Sequence, residues 1–259
     1  MRRLLPIIII MAACGDGAVD EADPSGEVGL IEFIATWDQT DVTLLDAGWA
    51  ITNDLGYSVE VHDGYLVTYG ASLVPCPTAT HEHDDLGALL WSLIGIGAAH
   101  AGHDSDVDPS AISTSRVESV ATPKAWTIGR VAVPPAVYCE AHYLVARADD
   151  ATLDMPQTVD LDRASLYLSG VYTPPGGGEA RPFEVKTALA NGVIAALDVE
   201  PGGAGGVNLG ETGLTVVIER PLAGLFDGVD FDNMSSAALE QQLLTALIAN
   251  TSIRTYSTP

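Results

Sequence analysis

Ser165-Leu166-Tyr167-Leu168-Ser169-Gly170-Val171-Tyr172 runs through Thr173 into Pro174-Pro175-Gly176-Gly177-Gly178, and an apolar stretch resumes at Pro182-Phe183-Glu184-Val185-Lys186-Thr187-Ala188-Leu189. Aromatic and β-branched residues flank a proline–glycine block that can only turn, so the stretch reads as strand, connection, strand. The same signature recurs outward in both directions. Residues 30–37, 42–51, 57–61, 65–74, 137–146, 193–199 and 214–219 carry strand character, most of them bounded by Gly, Pro, Asn or Asp. Short strands with frequent turn signals predict a mainly β chain, an antiparallel β-sandwich. Asp63-Gly64 reads either as a two-residue hairpin turn or as a bend within one long strand. Residues 201–206, Pro-Gly-Gly-Ala-Gly-Gly, read as a flexible connection.

Two stretches depart from the strand pattern. Residues 235–249 open on serines and place Leu239, Leu243, Leu244, Leu247 and Ile248 at helical spacing, which predicts a C-terminal helix with its apolar stripe on the core. Residues 86–99 are apolar around Trp91 but contain three glycines and are too short to span a bilayer. They read as a short helix or hydrophobic loop against the sheet, or as a segment dipping into a membrane interface.

The N-terminus has the parts of an export signal: Arg2-Arg3, an apolar run over 4–11, then Ala12-Ala13-Cys14. Cys14 after two alanines resembles the lipobox of bacterial lipoproteins, with Met11 where leucine is more usual. The resemblance implies a signal peptide over 1–13, lipidation of Cys14 and attachment to a membrane of the cell envelope. Gly15 rather than Asp after the cysteine favours, by the same resemblance, the outer membrane. Residues 14–27 carry Asp, Glu, Gly, Ser and Pro with almost no large apolar side chain, which reads as a solvated tether. What remains, 28–259, has the size of one β-sandwich domain or a small two-part fold. With 47% hydrophobic residues it can bury a core.

Eleven Lys and Arg face 35 Asp and Glu, a net charge of −24. Such a surface repels phosphate backbones and anionic headgroups, which excludes nucleic acid as a partner. It attracts cations, although acidity by itself also serves solubility.

With Cys14 assigned to lipid, Cys76 and Cys139 remain, and two cysteines in an exported chain read as one disulfide. A pair of soft metal ligands is the alternative. The bridge would tie the base of an insertion spanning 77–138. That insertion holds His81, His83, His100 and His103, with Asp84, Asp85, Asp104 and Asp106 beside them. In an extended backbone His81 and His83 point to one side, and in a helical turn His100 and His103 share a face. Each pair can chelate one ion of the borderline class, Cu²⁺ or Zn²⁺, with carboxylates as further ligands. The competing reading is a solvated acidic loop.

His142, on the strand face of Glu140, reads as a strand histidine, and His62 beside Asp63-Gly64 is ambiguous. Residues 227–233, Asp-Gly-Val-Asp-Phe-Asp-Asn, offer oxygen ligands for calcium but lack EF-hand spacing, so a turn capping the following helix is preferred. The chain has no Gly-x-Ser-x-Gly, no His-Glu-x-x-His and no phosphate-binding glycine loop. A non-enzyme is expected.

Gly64-Tyr65-Leu66-Val67-Thr68-Tyr69 through Cys76, and Pro134 through Ala146 with its Tyr138-Cys139-Glu140-Ala141-His142, resemble bacterial lipoproteins of undefined role that carry a histidine-rich loop between two cysteines. More distantly they are similar to periplasmic copper-binding proteins of the MbnP type. The resemblance implies a β-sandwich and a metal role in the envelope. The tryptophan-rich stretch of that family would follow Asp149, whereas the last tryptophan here is Trp126, so no copper ligand is carried over by position. The resulting expectation is an envelope lipoprotein that binds or buffers Cu or Zn through His81, His83, His100 and His103, with a metal-transport or envelope protein as partner. The alternative is a non-catalytic structural or interaction lipoprotein that docks through residues 86–99.

Overall fold

The computed structural model describes residues 29–76, 108, 110–134, 136–197, 206–209 and 213–258. In chain order the strands are β1 (Gly29–Asp38), β2 (Thr43–Leu44), β3 (Trp49–Thr52), β4 (Ser58–Pro75), β5 (Arg116–Ser119), β6 (Trp126–Val133) and β7 (Val137–Val145). They continue with β8 (Leu166–Thr173), β9 (Arg181–Thr187), β10 (Asn191–Ala196), β11 (Val207–Asn208), β12 (Gly213–Pro221), the helix α1 (Ser236–Ala249) and β13 (Ser252–Thr258). One sheet has the order β13-β12-β1-β6; the other is built on the path β10-β7-β4-β3-β2, with β5, β8, β9 and β11 attached. Their buried faces share one core, so the fold is a mainly β sandwich with a C-terminal helix. The pairing is antiparallel except where β1 and β12 run parallel, Ile31 opposite Leu214.

The hairpin read from residues 165–189 is present: β8 pairs with β9 from Leu166↔Thr187 to Tyr172↔Arg181. Three other stretches differ from the reading. Residues 42–51 are not one strand but the hairpin β2–β3, reversed at Gly48. Gly48 has φ +94°, and a Cβ there would lie 1.8 Å from the Val61 carbonyl oxygen, so both backbone and space require glycine. Residues 57–61 and 65–74 are one continuous strand, and Asp63-Gly64 lies inside it. Within the span 77–138, residues 116–119 and 126–133 are strands, and β6 is an edge of the first sheet paired with β1. That half of the span is therefore sandwich rather than insertion.

The long strand β4 crosses most of the second sheet, pairing with β3 and β8 in its first half and with β7 in its second. Strict alternation over so many residues would accumulate twist and carry the strand off the core. The pairing register slips instead, between Val61 and Asp63 and again between Thr68 and Gly70. Each slip inserts one residue and resets which parity points inward. Val59 and Val61, then Leu66 and Thr68, then Ala71 and Leu73 are buried as a result. Val67 points the other way and is covered by a second small core of Val117, Ala148, Leu161, Ala164 and Tyr167.

Deep between the sheets lies an ion pair. Arg220, at the inward parity of β12 after Leu214, Val216 and Ile218, is fully buried, and Glu118 of β5 is 9% exposed. Glu118 Oε2 accepts from Trp37 Nε1 at 2.8 Å, Trp126 Nε1 at 3.1 Å and Arg220 Nη2 at 2.7 Å. Its Oε1 accepts from Arg220 Nη1 and, at 2.8 Å, from the Thr68 hydroxyl. Arg220 Nη1 also donates to the Tyr143 hydroxyl at 3.0 Å, and Tyr143 lies 2.9 Å from Thr68 Oγ1. Because Thr68 spends its proton on Glu118, Tyr143 must donate to Thr68. The guanidinium lies 4.2 Å from the Trp37 ring centroid. Burial alone would push the arginine pKa down, but the charge of Glu118 and the hydrogen bonds outweigh it and hold the pKa above the ordinary arginine value. Trp37, Trp126 and Arg220 come from the first sheet, and Thr68, Glu118 and Tyr143 from the second, so the network crosses the sandwich.

Helix α1 is capped by Ser235, whose side chain accepts the Ala238 N–H. It buries Leu243, Leu244, Leu247 and Ile248, with Leu239 partly buried against the same core, as its spacing predicts.

Removing one partner of the buried pair leaves the other charge unsatisfied. Arg220→Met should cost about 3–5 kcal/mol in urea unfolding at neutral pH. The double variant Glu118→Leu/Arg220→Met should lose less than Arg220→Met alone, a coupling that additive losses would refute.

Candidate functional site

The base of the histidine-bearing stretch is the best-defined candidate. Cys76 follows β4 and Cys139 lies on β7, and the antiparallel register sets Val74 opposite Glu140 and Pro75 opposite Tyr138. The Cys76 N–H donates to Val137 O at 2.8 Å. The two Cα atoms are 4.8 Å apart and the disulfide Cys76–Cys139 is formed, closing a sequence separation of 63. Gly206, with φ +143°, lies against it: a Cβ there would be 2.7 Å from Cys76 Sγ and 2.4 Å from Val137 Cγ1.

The chain returns beside the same strand. Leu73 N–H donates to Ser110 Oγ at 3.1 Å, and Ile112 exchanges backbone hydrogen bonds with Ala71. Asp108 accepts the Ser110 N–H at 2.8 Å and the Ser110 hydroxyl at 2.7 Å, which fixes the turn where the described chain resumes. Burial, with the nearby Asp108 charge, raises the pKa of Tyr138 on the adjacent strand. Residues 77–107 thus depart from and re-enter the same end of β4, with the exit clamped by a covalent bond and the re-entry by buried Ser110.

His81, His83, His100 and His103 lie outside the described residues, as do the lipidation candidate Cys14, residues 86–99 and the carboxylates Asp84, Asp85, Asp104 and Asp106. His142 is half-buried on β7, facing Ser72 and Ile194 across the sheet, and burial holds its pKa below the ordinary imidazole value. His62 is exposed, 3.4 Å from the Glu60 carboxylate. Among the described residues no three His, Cys, Asp or Glu are grouped so as to hold a metal ion.

Residues 227–233 form a turn before α1, as the sequence favours. Asp230 accepts the N–H groups of Asp232 and Asn233, both at 3.1 Å, the Asn233 amide at 2.8 Å and the Tyr57 hydroxyl at 2.8 Å. Asp232 accepts from the Tyr172 hydroxyl at 3.2 Å and from Arg181 at 2.6 Å. Side-chain and backbone donors of the protein itself engage these carboxylates. Asp149 likewise holds its own turn, accepting from the Ala151 N–H and the Thr152 hydroxyl. No family model, curated protein or solved structure matches the chain.

Sequence reading missed the Glu118–Arg220 network and the cavity lined by Tyr69, Arg147 and Arg163. The visible signal for the first was Arg220 itself, a charge at the core parity of an otherwise apolar alternation.

Two predictions follow from this geometry. Replacing both Cys76 and Cys139 by alanine should lower stability by about 4 kcal/mol, the loop-closure value for so long a loop, read as a fall in urea midpoint. Separately, the hydrogen bond from Tyr57 to Asp230, with partial burial and the two carboxylates nearby, pushes the tyrosine pKa up to about 12 from 10.0. A raised pKa contributes stability that is complete below the unfolded-state value and lost as pH rises through the folded one. Unfolding free energy should therefore fall more steeply between pH 10 and pH 12 in the wild type than in Tyr57→Phe. Parallel pH profiles would refute this.

Proposed function

We propose that the chain is an envelope lipoprotein that binds or buffers Cu²⁺ or Zn²⁺ through His81, His83, His100 and His103. The observation that carries the reading is the closed base: the disulfide Cys76–Cys139 at one side and the Ser110–Leu73 contact at the other bring both ends of residues 77–107 to one end of β4. A segment pinned at both ends on a rigid sheet loses less conformational freedom when its side chains converge on an ion, and binding residues concentrate on such loops. The formed disulfide suits an oxidising compartment, in keeping with the signal sequence at 1–13 and the lipobox-like Cys14. It also removes both thiols from competition, leaving imidazole as the softest donor in residues 77–107.

Imidazole nitrogen accepts Cu²⁺ and Zn²⁺ at neutral pH, while the clustered carboxylates favour hard cations only weakly. The acidic surface raises the local concentration of any cation, so capture is electrostatic and selectivity belongs to the histidines. The choice between Cu²⁺ and Zn²⁺ is left to the titration below, and a metal-transport or other envelope protein is the partner this role implies. Outer-membrane attachment follows from Gly15 after the lipidated cysteine.

Titration calorimetry on the soluble form starting at Gly15, with Cu²⁺, Zn²⁺ and Ca²⁺ in turn, is the test. Sub-micromolar binding of Cu²⁺ or Zn²⁺ is expected, together with its collapse when all four histidines are replaced by alanine at an unchanged unfolding midpoint. Affinity that survives the fourfold replacement, or weak binding with no preference over Ca²⁺, would refute the reading. Docking through residues 86–99 would then be the reading to test.

A further inference from the structure

A second site lies at the other end of the β4–β7 ladder from the disulfide, roughly 20 Å away at the rise of a strand. Arg147 and Asp149 follow β7, and Asp162 and Arg163 belong to the turn that precedes β8. These segments fold over the outer face of the second sheet, tied by the Ala148 N–H to Ala164 O at 2.8 Å and packed on Val67. Between them and Tyr69 of β4 lies an open cavity of about 530 Å³, lined by Tyr69, Arg147, Asp149, Asp150, Asp162 and Arg163. That size falls in the range of small-molecule sites.

The charges around this cavity are unusual for so acidic a chain. Arg116, Arg130, Arg181, Lys186, Arg220 and Arg254 each reach a carboxylate. Among the described residues Lys124, Arg147 and Arg163 have no such partner, and both arginines of that trio face this one cavity. Three aspartates line the same space without pairing to them. Asp149 is engaged by the Thr152 hydroxyl and the Ala151 N–H, but Asp150 and Asp162 accept no side-chain donor among the described residues. Arg163 is also held at φ +57°, a left-handed conformation that disfavours residues bearing a Cβ.

We propose that this cavity binds a small zwitterion, its oxyanion on Arg147 and Arg163 and its ammonium on Asp150 and Asp162. A simple anion meets the three carboxylates and the field of a chain carrying −24, and a simple cation meets two guanidinium groups. A dipolar ligand satisfies both sets at once. Guanidinium recognises carboxylate and phosphate alike through paired N–H donors, so the oxyanion belongs either to a free amino acid or to an aminoalkyl phosphate such as a lipid headgroup. The inference stands on described residues alone and is independent of the metal reading.

The test is calorimetric titration of the full chain, kept metal-free with a chelator, using glycine, phosphoethanolamine, inorganic phosphate and ethanolamine as separate probes. At least one zwitterion should bind in the millimolar range or tighter, with phosphate and ethanolamine each weaker by about tenfold or more (~1.4 kcal/mol). Arg147→Ala and Arg163→Ala should each weaken that binding by a similar factor. Both side chains are exposed, so unfolding midpoints should not move; if either does, Arg147→Lys and Arg163→Lys replace them, which keep charge but lose the paired donors. Preference for phosphoethanolamine would assign a headgroup, and preference for glycine a free amino acid. The proposal is overturned if neither zwitterion binds, if phosphate alone binds as tightly, or if the arginine variants retain full affinity.

Discussion

The Glu118–Arg220 pair is the constraint around which the sandwich is arranged. Two charges removed from water are tolerated only when every lone pair and proton has a partner. Here that condition recruits Trp37, Trp126, Thr68 and Tyr143, and no buried side-chain nitrogen or oxygen among the described residues is left without a hydrogen bond. The partners come from both sheets, so the register of each sheet and the distance between them must agree for the network to close. An apolar core tolerates small slips of one sheet over the other. A bidentate arginine–carboxylate contact with two indole donors does not. The pair therefore selects one packing of the sheets more than it adds net stability.

That selection makes the two slips in β4 intelligible. Thr68 must point inward to reach Glu118 and Tyr143, and so must Leu66, Ala71 and Leu73 to fill the core. Thr68 and Ala71 have opposite parity, so only an extra residue between them satisfies both, and the register slip between Thr68 and Gly70 supplies it. The strand then keeps its phase to Val74, and a further register shift between Val74 and Pro75, with Cys139 the extra residue on β7, precedes the bridge between Cys76 and Cys139. At its middle the same strand turns Val67 outward, and the covering segment that buries it brings Arg147 and Arg163 over Tyr69. One strand thus places both ends of the histidine-bearing stretch and one wall of the zwitterion cavity.

What could be read in advance follows the range of the interactions. The hairpin at 165–189 and the helix at 235–249 are specified locally, by a proline–glycine turn and a leucine spacing, and both are present. The disulfide was legible from cysteine count. Asp63-Gly64 was ambiguous because a hairpin turn and a bulge use the same residues; the neighbouring β8, paired on both sides of it, decides. Strand β5 is four residues long and carries Arg116 and Glu118 around a single apolar residue, Val117, so no apolar run announced it. Its burial depends on Arg220, which lies 102 residues away. The arginines of the cavity resemble any surface arginine until the fold shows that they lack carboxylates. The four histidines were legible as a cluster, and their placement lies outside the described residues.

The excess of acid also bears on what the histidines would have to accomplish. Several carboxylates are saturated by donors: Asp230 by amides and a phenol, Asp149 by its own turn, Glu118 by arginine and indoles. They are poor cation ligands for that reason, since binding would first break those bonds. Unsaturated carboxylates such as Asp150 and Asp162 are exposed, and salt screens each of them over about 8–10 Å. Such a surface collects cations without distinguishing them, and its hold weakens as ionic strength rises. Coordination by imidazole nitrogen is short-ranged, is barely screened and requires neutral rings, so it fails on acidification instead. A capture mechanism that combines the two would lose its rate of association in salt and its affinity in acid. Those separate dependences distinguish a dedicated histidine site from the attraction that any chain this acidic exerts.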